Sequence, residues 1–111
     1  MAYDETLAER VRDILRADPG FTERRMFGGI CFMLDGHMCC GIIGSDLMGR
    51  LGHEGAKAAL ARPHVRPMDF TGRPMGTAVY VGPEGLRGRA LRGWVEKGAA
   101  HARSLPPKSG R

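Results

Sequence analysis

The sequence predicts a single α+β domain in which a central antiparallel β-sheet of five to six strands is flanked by an N-terminal and a C-terminal helix. Apolar residues recur at helical spacing near both ends of the chain. Between these ends, short apolar runs are separated by glycine, aspartate and proline, which is typical of antiparallel strands and turns. A length of 111 residues suits one hydrophobic core, so we assign residues 3–105 to one domain and 106–111 to a disordered tail.

The first predicted helix runs from about Glu5 to Ala17. Its apolar residues recur three or four positions apart, as packing against a core requires: Leu7, Val11, Ile14 and Leu15. Asp4 is suited to cap the first turn, and the Asp-Pro-Gly sequence at 18–20 is a stop signal.

The dipeptide Asp35-Gly36 lies between the apolar runs ICFML and HMCCGII and predicts a β-hairpin with a type I′ turn. This loop sets four pairs: Leu34 with His37, Met33 with Met38, Phe32 with Cys39, and Cys31 with Cys40. One face would then hold Cys31, Met33, Met38, Cys40 and Ile42, and the other Ile30, Phe32, Leu34, His37, Cys39 and Ile43. Because both faces are apolar apart from His37, we expect the hairpin to be covered on both sides.

The second half of the chain predicts three more strands, at 47–51, 65–69 and 77–81, and a short alanine-rich helix at 54–61. Pro67 suits only an edge strand, since proline cannot donate to a neighbouring strand. The last element is an amphipathic helix that ends near Leu105, with Trp94 as its apolar anchor.

Familiar catalytic templates are missing from the sequence: it has no Walker loop, Rossmann glycine pattern, zinc-protease motif or nucleophile elbow. It also has no Asn and no Gln, which enzymes often use as oxyanion donors. Cys39 and Cys40 are neighbours and are expected to point to opposite faces of a strand, which disfavours a shared metal. We therefore predict no enzymatic activity, no metal and no cofactor.

Cys31 and Cys40 form a candidate redox pair, because opposed hairpin positions bring Cβ atoms to about 4.5–5.5 Å. The alternative is that both are buried structural residues, since free cysteine is among the most buried residue types. The odd number of three cysteines, the absence of a secretory signal and the absence of an apolar run of about 20 residues predict a cytoplasmic protein.

The net charge of +5 is concentrated near the C-terminus: residues 87–111 carry seven bases and one acid, whereas residues 1–86 carry ten bases and eleven acids. Such a surface can contact nucleic acid or an acidic partner. The candidate contacts are Arg89, Arg92, Arg103, Lys108 and Arg111. A solvated helix face followed by a loose tail is the alternative, and the few aromatic residues do not alternate with the basic ones as a stacking platform requires.

Four segments resemble the N-terminal domain of the TfoX (Sxy) type competence regulators: MFGGICFM at 26–33, DGHMCCGI at 35–42, RPMDFTGRPM at 66–75, and LRGWVEKGAAHARSLP at 91–106. The residues that carry this resemblance are Met26, Phe27, Gly28, Gly29, Asp35, Gly36, Met68, Asp69, Phe70, Gly72, Arg73 and Pro74. The resemblance implies a stand-alone, single-domain member with a secretion-chaperone-like arrangement and no established catalytic residues. Full-length regulators of this type have a second, helical domain and promote transcription of DNA-uptake genes together with a cyclic-AMP receptor protein.

Three functional hypotheses follow. The leading one is a non-enzymatic regulatory module that binds a protein partner, such as a transcription regulator. The second is a weak nucleic-acid accessory protein that uses the basic C-terminal helix and tail, and the third is a thiol-redox protein. We also expect a homodimer formed through a sheet face that contains Met33 and Met38, because three helices offer little cover for two apolar faces.

Overall fold

The computed structural model describes residues 3–26, 28–70 and 73–105. The elements are α1 (Glu5–Leu15), β1 (Phe21–Met26), β2 (Gly29–Leu34), β3 (His37–Ile43), β4 (Asp46–Arg50), α2 (Gly52–Ala59), β5 (Val65–Phe70), β6 (Arg73–Val81), a 3₁₀ helix (Pro83–Leu86) and α3 (Arg89–Arg103). All six strands form one antiparallel sheet in the order β1-β2-β3-β4-β6-β5. The predicted α+β class is confirmed. None of the helices in the described segments is both long enough and apolar enough to cross a bilayer.

The first helix is capped as predicted, with the backbone N–H of Leu7 donating to Asp4 Oδ1 at 3.1 Å. It buries Leu7, Ala8, Val11 and Leu15. Its regular part ends at Leu15, two residues before the predicted end.

Strand β1 was not predicted as a separate strand, because its sequence FTERRM is mostly polar and charged. It lies at one edge of the sheet, where charged side chains discourage pairing with other molecules. The other edge is β5, so Pro67 lies in an edge strand as predicted.

The turn at Asp35-Gly36 has the predicted type I′ geometry, with φ of 52° and 84° at its two central residues. Leu34 pairs with His37 and Met33 with Met38, also as predicted. Beyond these pairs the prediction was wrong. Cys39 is an additional residue in a β-bulge, so Phe32 pairs with Cys40, and Cys31 pairs with Gly41.

The bulge changes which face the following side chains occupy, because one additional residue inverts the alternation along a strand. Cys39, Cys40 and Ile42 all lie in the main core cluster, whereas Cys40 and Ile42 were predicted on the opposite face. The predicted separation of Cys39 from Cys40 was wrong for the same reason.

The main core lies between the sheet and the helices. Helix α3 contacts β2, β3 and β4, and α1 contacts α3. On the other face, Cys31, Met48 and Ala78 form a smaller buried cluster, with Met33, Met38 and Tyr80 half-buried around it. The helical cover is therefore concentrated on one face of the central hairpin.

Replacement of Gly36 by Val is expected to lower the free energy of unfolding by about 1–2 kcal/mol or more, because a β-branched side chain is strained at positive φ. Urea denaturation followed by circular dichroism measures the loss. Gly36→Asn is the matched control, since Asn tolerates this backbone region better, and it should lose less. Equal stability of Gly36→Val and the parent would contradict the turn geometry.

Candidate functional site

Cys31 and Cys40, the proposed redox pair, are not opposed across the hairpin. Cys31 belongs to the smaller cluster and Cys40 to the main core, so the opposed pairing on which the hypothesis rested is wrong. All three cysteines are free and buried. Burial raises the pKa of Cys31, while a hydrogen bond with Cys39, followed by burial, raises the pKa of Cys40 well above its usual value. Thiolate, the reactive form, is therefore suppressed at both sites.

We expect the folded chain to react slowly with a thiol reagent such as 5,5′-dithiobis(2-nitrobenzoate) at pH 7.5. All three thiols should react at once after addition of guanidinium chloride, because unfolding exposes them. Rapid reaction of one thiol in the folded chain would show that its burial is not maintained in solution.

The raised pKa values also predict that alkaline pH destabilises the fold. Above about pH 8.5 Cys31 and Cys40 ionise in the unfolded chain, whereas in the folded chain their raised pKa values keep them protonated. The unfolded state then binds fewer protons, so the free energy of unfolding falls as pH rises. Urea denaturation between pH 7.5 and 9.5 measures this fall, and a Cys31→Ala, Cys40→Ala chain should show a shallower one. If the free energy of unfolding fell equally steeply with pH in both chains, the raised pKa values of Cys31 and Cys40 would be contradicted.

The candidate basic contacts lie in two separate places. Arg89 and Arg92 line a cleft of about 380 Å³ between α1 and the start of α3, together with Arg10. Arg10 donates to the carbonyl oxygens of Leu86, at 3.0 Å, and Gly88, at 3.4 Å. Sequence reasoning missed Arg10, because only the packing of α1 on α3 brings it there. Lys108 and Arg111 lie outside the described residues.

Arg103 lies at the other end of α3, about 20 Å from Arg89 at the helical rise of 1.5 Å per residue. Its guanidinium donates to Asp18 Oδ2 from Nε at 3.2 Å and from the terminal nitrogen Nη2 at 2.7 Å. The hydrogen bond from Arg103, followed by one from the backbone N–H of Gly20, lowers the pKa of Asp18. The charge of Arg103 is therefore already paired within the chain. Arg92 likewise forms an ion pair with Glu96, with 3.3 Å between the nitrogen and the oxygen.

The residues that carry the family resemblance lie at three hairpins. Met26, Gly28 and Gly29 surround the β1–β2 turn, and Asp35 and Gly36 form the β2–β3 turn. The third group is at the β5–β6 hairpin, where Met68, Asp69 and Phe70 end one strand and Arg73 and Pro74 begin the next. Phe27 and Gly72 lie outside the described residues. These motifs therefore mark three of the places where the chain reverses direction between neighbouring strands.

Helix α2 has a cleft on each side, and neither cleft was predicted. The first, of about 280 Å³, lies between α2 and α3 and is lined by Gly55, Ala58, Ala59, Arg62, Trp94 and Lys97. Two of these lining residues are cations that lie over the Trp94 ring. The guanidinium carbon of Arg62 lies 5.2 Å from the ring centroid, and Lys97 Nζ lies 5.9 Å from it. Both cations are within the distance of a cation–π contact.

The second cleft, also of about 280 Å³, lies between α2 and β6. It is lined by His53, Ala56, Lys57, Leu60, Pro67, Gly76 and Ala78. Leu60, which follows the last residue of α2, is 43% exposed. The sequence signal for both clefts is the small size of the side chains in α2, GHEGAKAA, which leave space on either side of the helix.

No group of three or more His, Cys, Asp or Glu side chains in the described segments is arranged to hold a metal ion. The two clefts beside α2 combine apolar side chains with the cations Lys57, Arg62 and Lys97, which suits binding of an acidic partner.

Comparison with known proteins gives one match. No curated protein and no solved structure matches the sequence. Among protein families, the TfoX N-terminal domain matches residues 13–102. This range begins within α1, includes every strand of the sheet, and ends one residue before the last residue of α3. The chain therefore belongs to the TfoX N-terminal domain family.

Proposed function

We propose that the chain is a non-enzymatic regulatory module that acts in the cytoplasm by binding a protein partner, such as a transcription regulator. The observation that carries this proposal is membership of the TfoX N-terminal domain family over residues 13–102. A regulatory domain works through surfaces and not through a reaction centre. The clefts beside α2 provide such a surface, because they combine apolar lining with exposed cations.

The test combines transcript profiling with cross-linking in the organism that encodes the chain. A deletion strain is compared with the same strain complemented by the tagged parent chain, and partners cross-linked to the tag are identified by mass spectrometry. We expect a defined set of transcripts to change and one protein to be recovered in near-stoichiometric amount. A tagged Trp94→Ala chain, expected to be misfolded, is the control. Unchanged transcripts together with no specifically recovered protein would refute the proposal.

A second candidate function is weak nucleic-acid binding, favoured by the cleft that Arg10, Arg89 and Arg92 line. Fluorescence anisotropy with a labelled 20-base-pair duplex over a salt series tests it, since log-log slopes near −0.9 per phosphate contact are expected. The chain with both Arg89→Glu and Arg92→Glu should lose binding, whereas Lys57→Glu, outside that cleft, should not. Absence of binding at 50 mM salt would exclude this function.

The homodimer stays a prediction, for which the half-buried Met33 and Met38 offer an apolar patch. Sedimentation equilibrium distinguishes a mass near 12.1 kDa from twice that value. A monomer at tens of micromolar protein would exclude the dimer.

A further inference from the structure

An exposed apolar side chain lies beside α2. Among the side chains whose burial the structure describes, Leu60 is the one large hydrophobic residue that is exposed, at 43%. A single exposed leucine is ordinary in a soluble protein. Here, however, it continues into a cleft lined by Ala56, Pro67 and Ala78, so it forms part of a continuous apolar surface.

Three permanent cations surround this surface: Lys57 borders the α2–β6 cleft, and Arg62 and Lys97 border the α2–α3 cleft. Neither lining includes an acidic residue. Ion pairs form elsewhere in the described part of the chain, and none of them uses these three cations. These three cations therefore form no ion pair with the described side chains, and all three residues are exposed, so a ligand can reach them.

We propose that α2 and its two clefts dock an acidic, amphipathic segment of a partner protein. An apolar side chain of that segment packs on Leu60, and its carboxylates pair with Lys57, Arg62 and Lys97. This inference rests on the proposed protein-binding function and adds the location of the site and the chemistry of the partner.

The lining favours a peptide segment over other ligands. Each cleft, at about 280 Å³, is slightly smaller than the roughly 300–1,000 Å³ of most small-molecule sites. Single-stranded nucleic acid binds by stacking on accessible aromatic rings, whereas Trp94 is only 5% exposed and lies under two cations. A second copy of the chain carries the same net charge of +5, which disfavours approach to a cationic site.

A random 16-residue phage-displayed peptide library, selected on the immobilised full chain, provides the probe. We expect the selected peptides to share an aliphatic or aromatic residue flanked by Asp or Glu. Synthetic labelled copies should bind in fluorescence polarisation, with affinity that falls as salt is raised from 50 to 500 mM. Leu60→Asp should weaken binding at least tenfold, and so should the chain with both Lys57→Glu and Arg62→Glu.

The matched control has both Arg89→Glu and Arg92→Glu, which makes the same change in charge at the cleft between α1 and α3. Its affinity for the peptides should stay within twofold of the parent, and thermal melting should show that every variant is folded. Leu60 and Lys57 are exposed, so their replacement leaves the core intact.

Several results would overturn the inference: no enriched peptide, peptides without acidic residues, or binding that Leu60→Asp leaves unchanged. Loss of duplex or oligothymidylate binding in Leu60→Asp would assign the site to nucleic acid, and loss of a dimer would assign it to a second copy. If the cross-linked partner contacts residues far from α2, this inference fails while the proposed function stands. If no partner and no transcript change are found, the proposed function fails.

Discussion

Replacement of Trp94 by alanine is expected to leave the chain largely unfolded or prone to aggregate. Trp94 is 5% exposed and belongs to the main core, where it anchors α3. Truncation of a buried aromatic side chain costs about 3–5 kcal/mol, out of a total of about 5–15 kcal/mol for a typical domain. Urea denaturation followed by far-ultraviolet circular dichroism measures the effect without using tryptophan fluorescence.

Arg62→Ala is the control for Trp94→Ala. It removes a cation that lies over the same ring and leaves the ring in the core. The expected loss is about 0.5–1 kcal/mol, the typical strength of an exposed cation–π contact. A Trp94→Ala chain that melts within a few degrees of the parent would show that α3 is not held by this side chain.

Replacement of Gly98 by valine should separate α3 from the sheet. A Cβ atom at Gly98 would overlap the backbone carbonyl oxygen of Cys39, which cannot move without disturbing β3. Overpacking of this kind costs about 1–3 kcal/mol. The atom that would have to move here belongs to the backbone of β3 and not to a flexible side chain. The midpoint of urea denaturation and the melting temperature should both fall.

The same helix contains a matched control, a glycine whose replacement is expected to raise the free energy of unfolding instead of lowering it. Gly93 is exposed, and a Cβ atom added to it would have no neighbouring heavy atom within 4 Å. Gly93→Ala should therefore stabilise the chain by about 0.5–1 kcal/mol through helix propensity alone. If Gly98→Val were as stable as the parent, the close approach of α3 to β3 would be wrong.

The parts of the fold that were predictable depend on local chemistry. The turn at Asp35-Gly36 follows from two adjacent residues that accept positive φ, and the cap of α1 follows from Asp4. The bulge at Cys39 was not predictable in this way. It occurs where α3 approaches β3, with the Cys39 thiol 3.7 Å from the Val95 carbonyl oxygen, and these residues are 56 positions apart.

The candidate site was less predictable than the fold for a related reason. Counting charges identified the basic C-terminal part of the chain, but it did not show that Asp18, 85 positions away, neutralises Arg103. The clefts beside α2 depend on Trp94 from α3 and Pro67 from β5, which only tertiary packing brings there. Binding surfaces formed by several distant elements leave little trace in local sequence.

The position of α3 has a consequence for synthesis of the chain. Strands β2, β3 and β4 leave the ribosome before the helix that covers them, because α3 follows them in the sequence. Roughly 60 residues separate the end of β3 from the end of α3, which corresponds to about 3–12 s at 5–20 residues per second. During that interval the apolar strands lack the helix that covers them. Nascent chains stalled before α3 should therefore bind chaperones. Chains stalled beyond it, with α3 outside the exit tunnel, should be released from the chaperones.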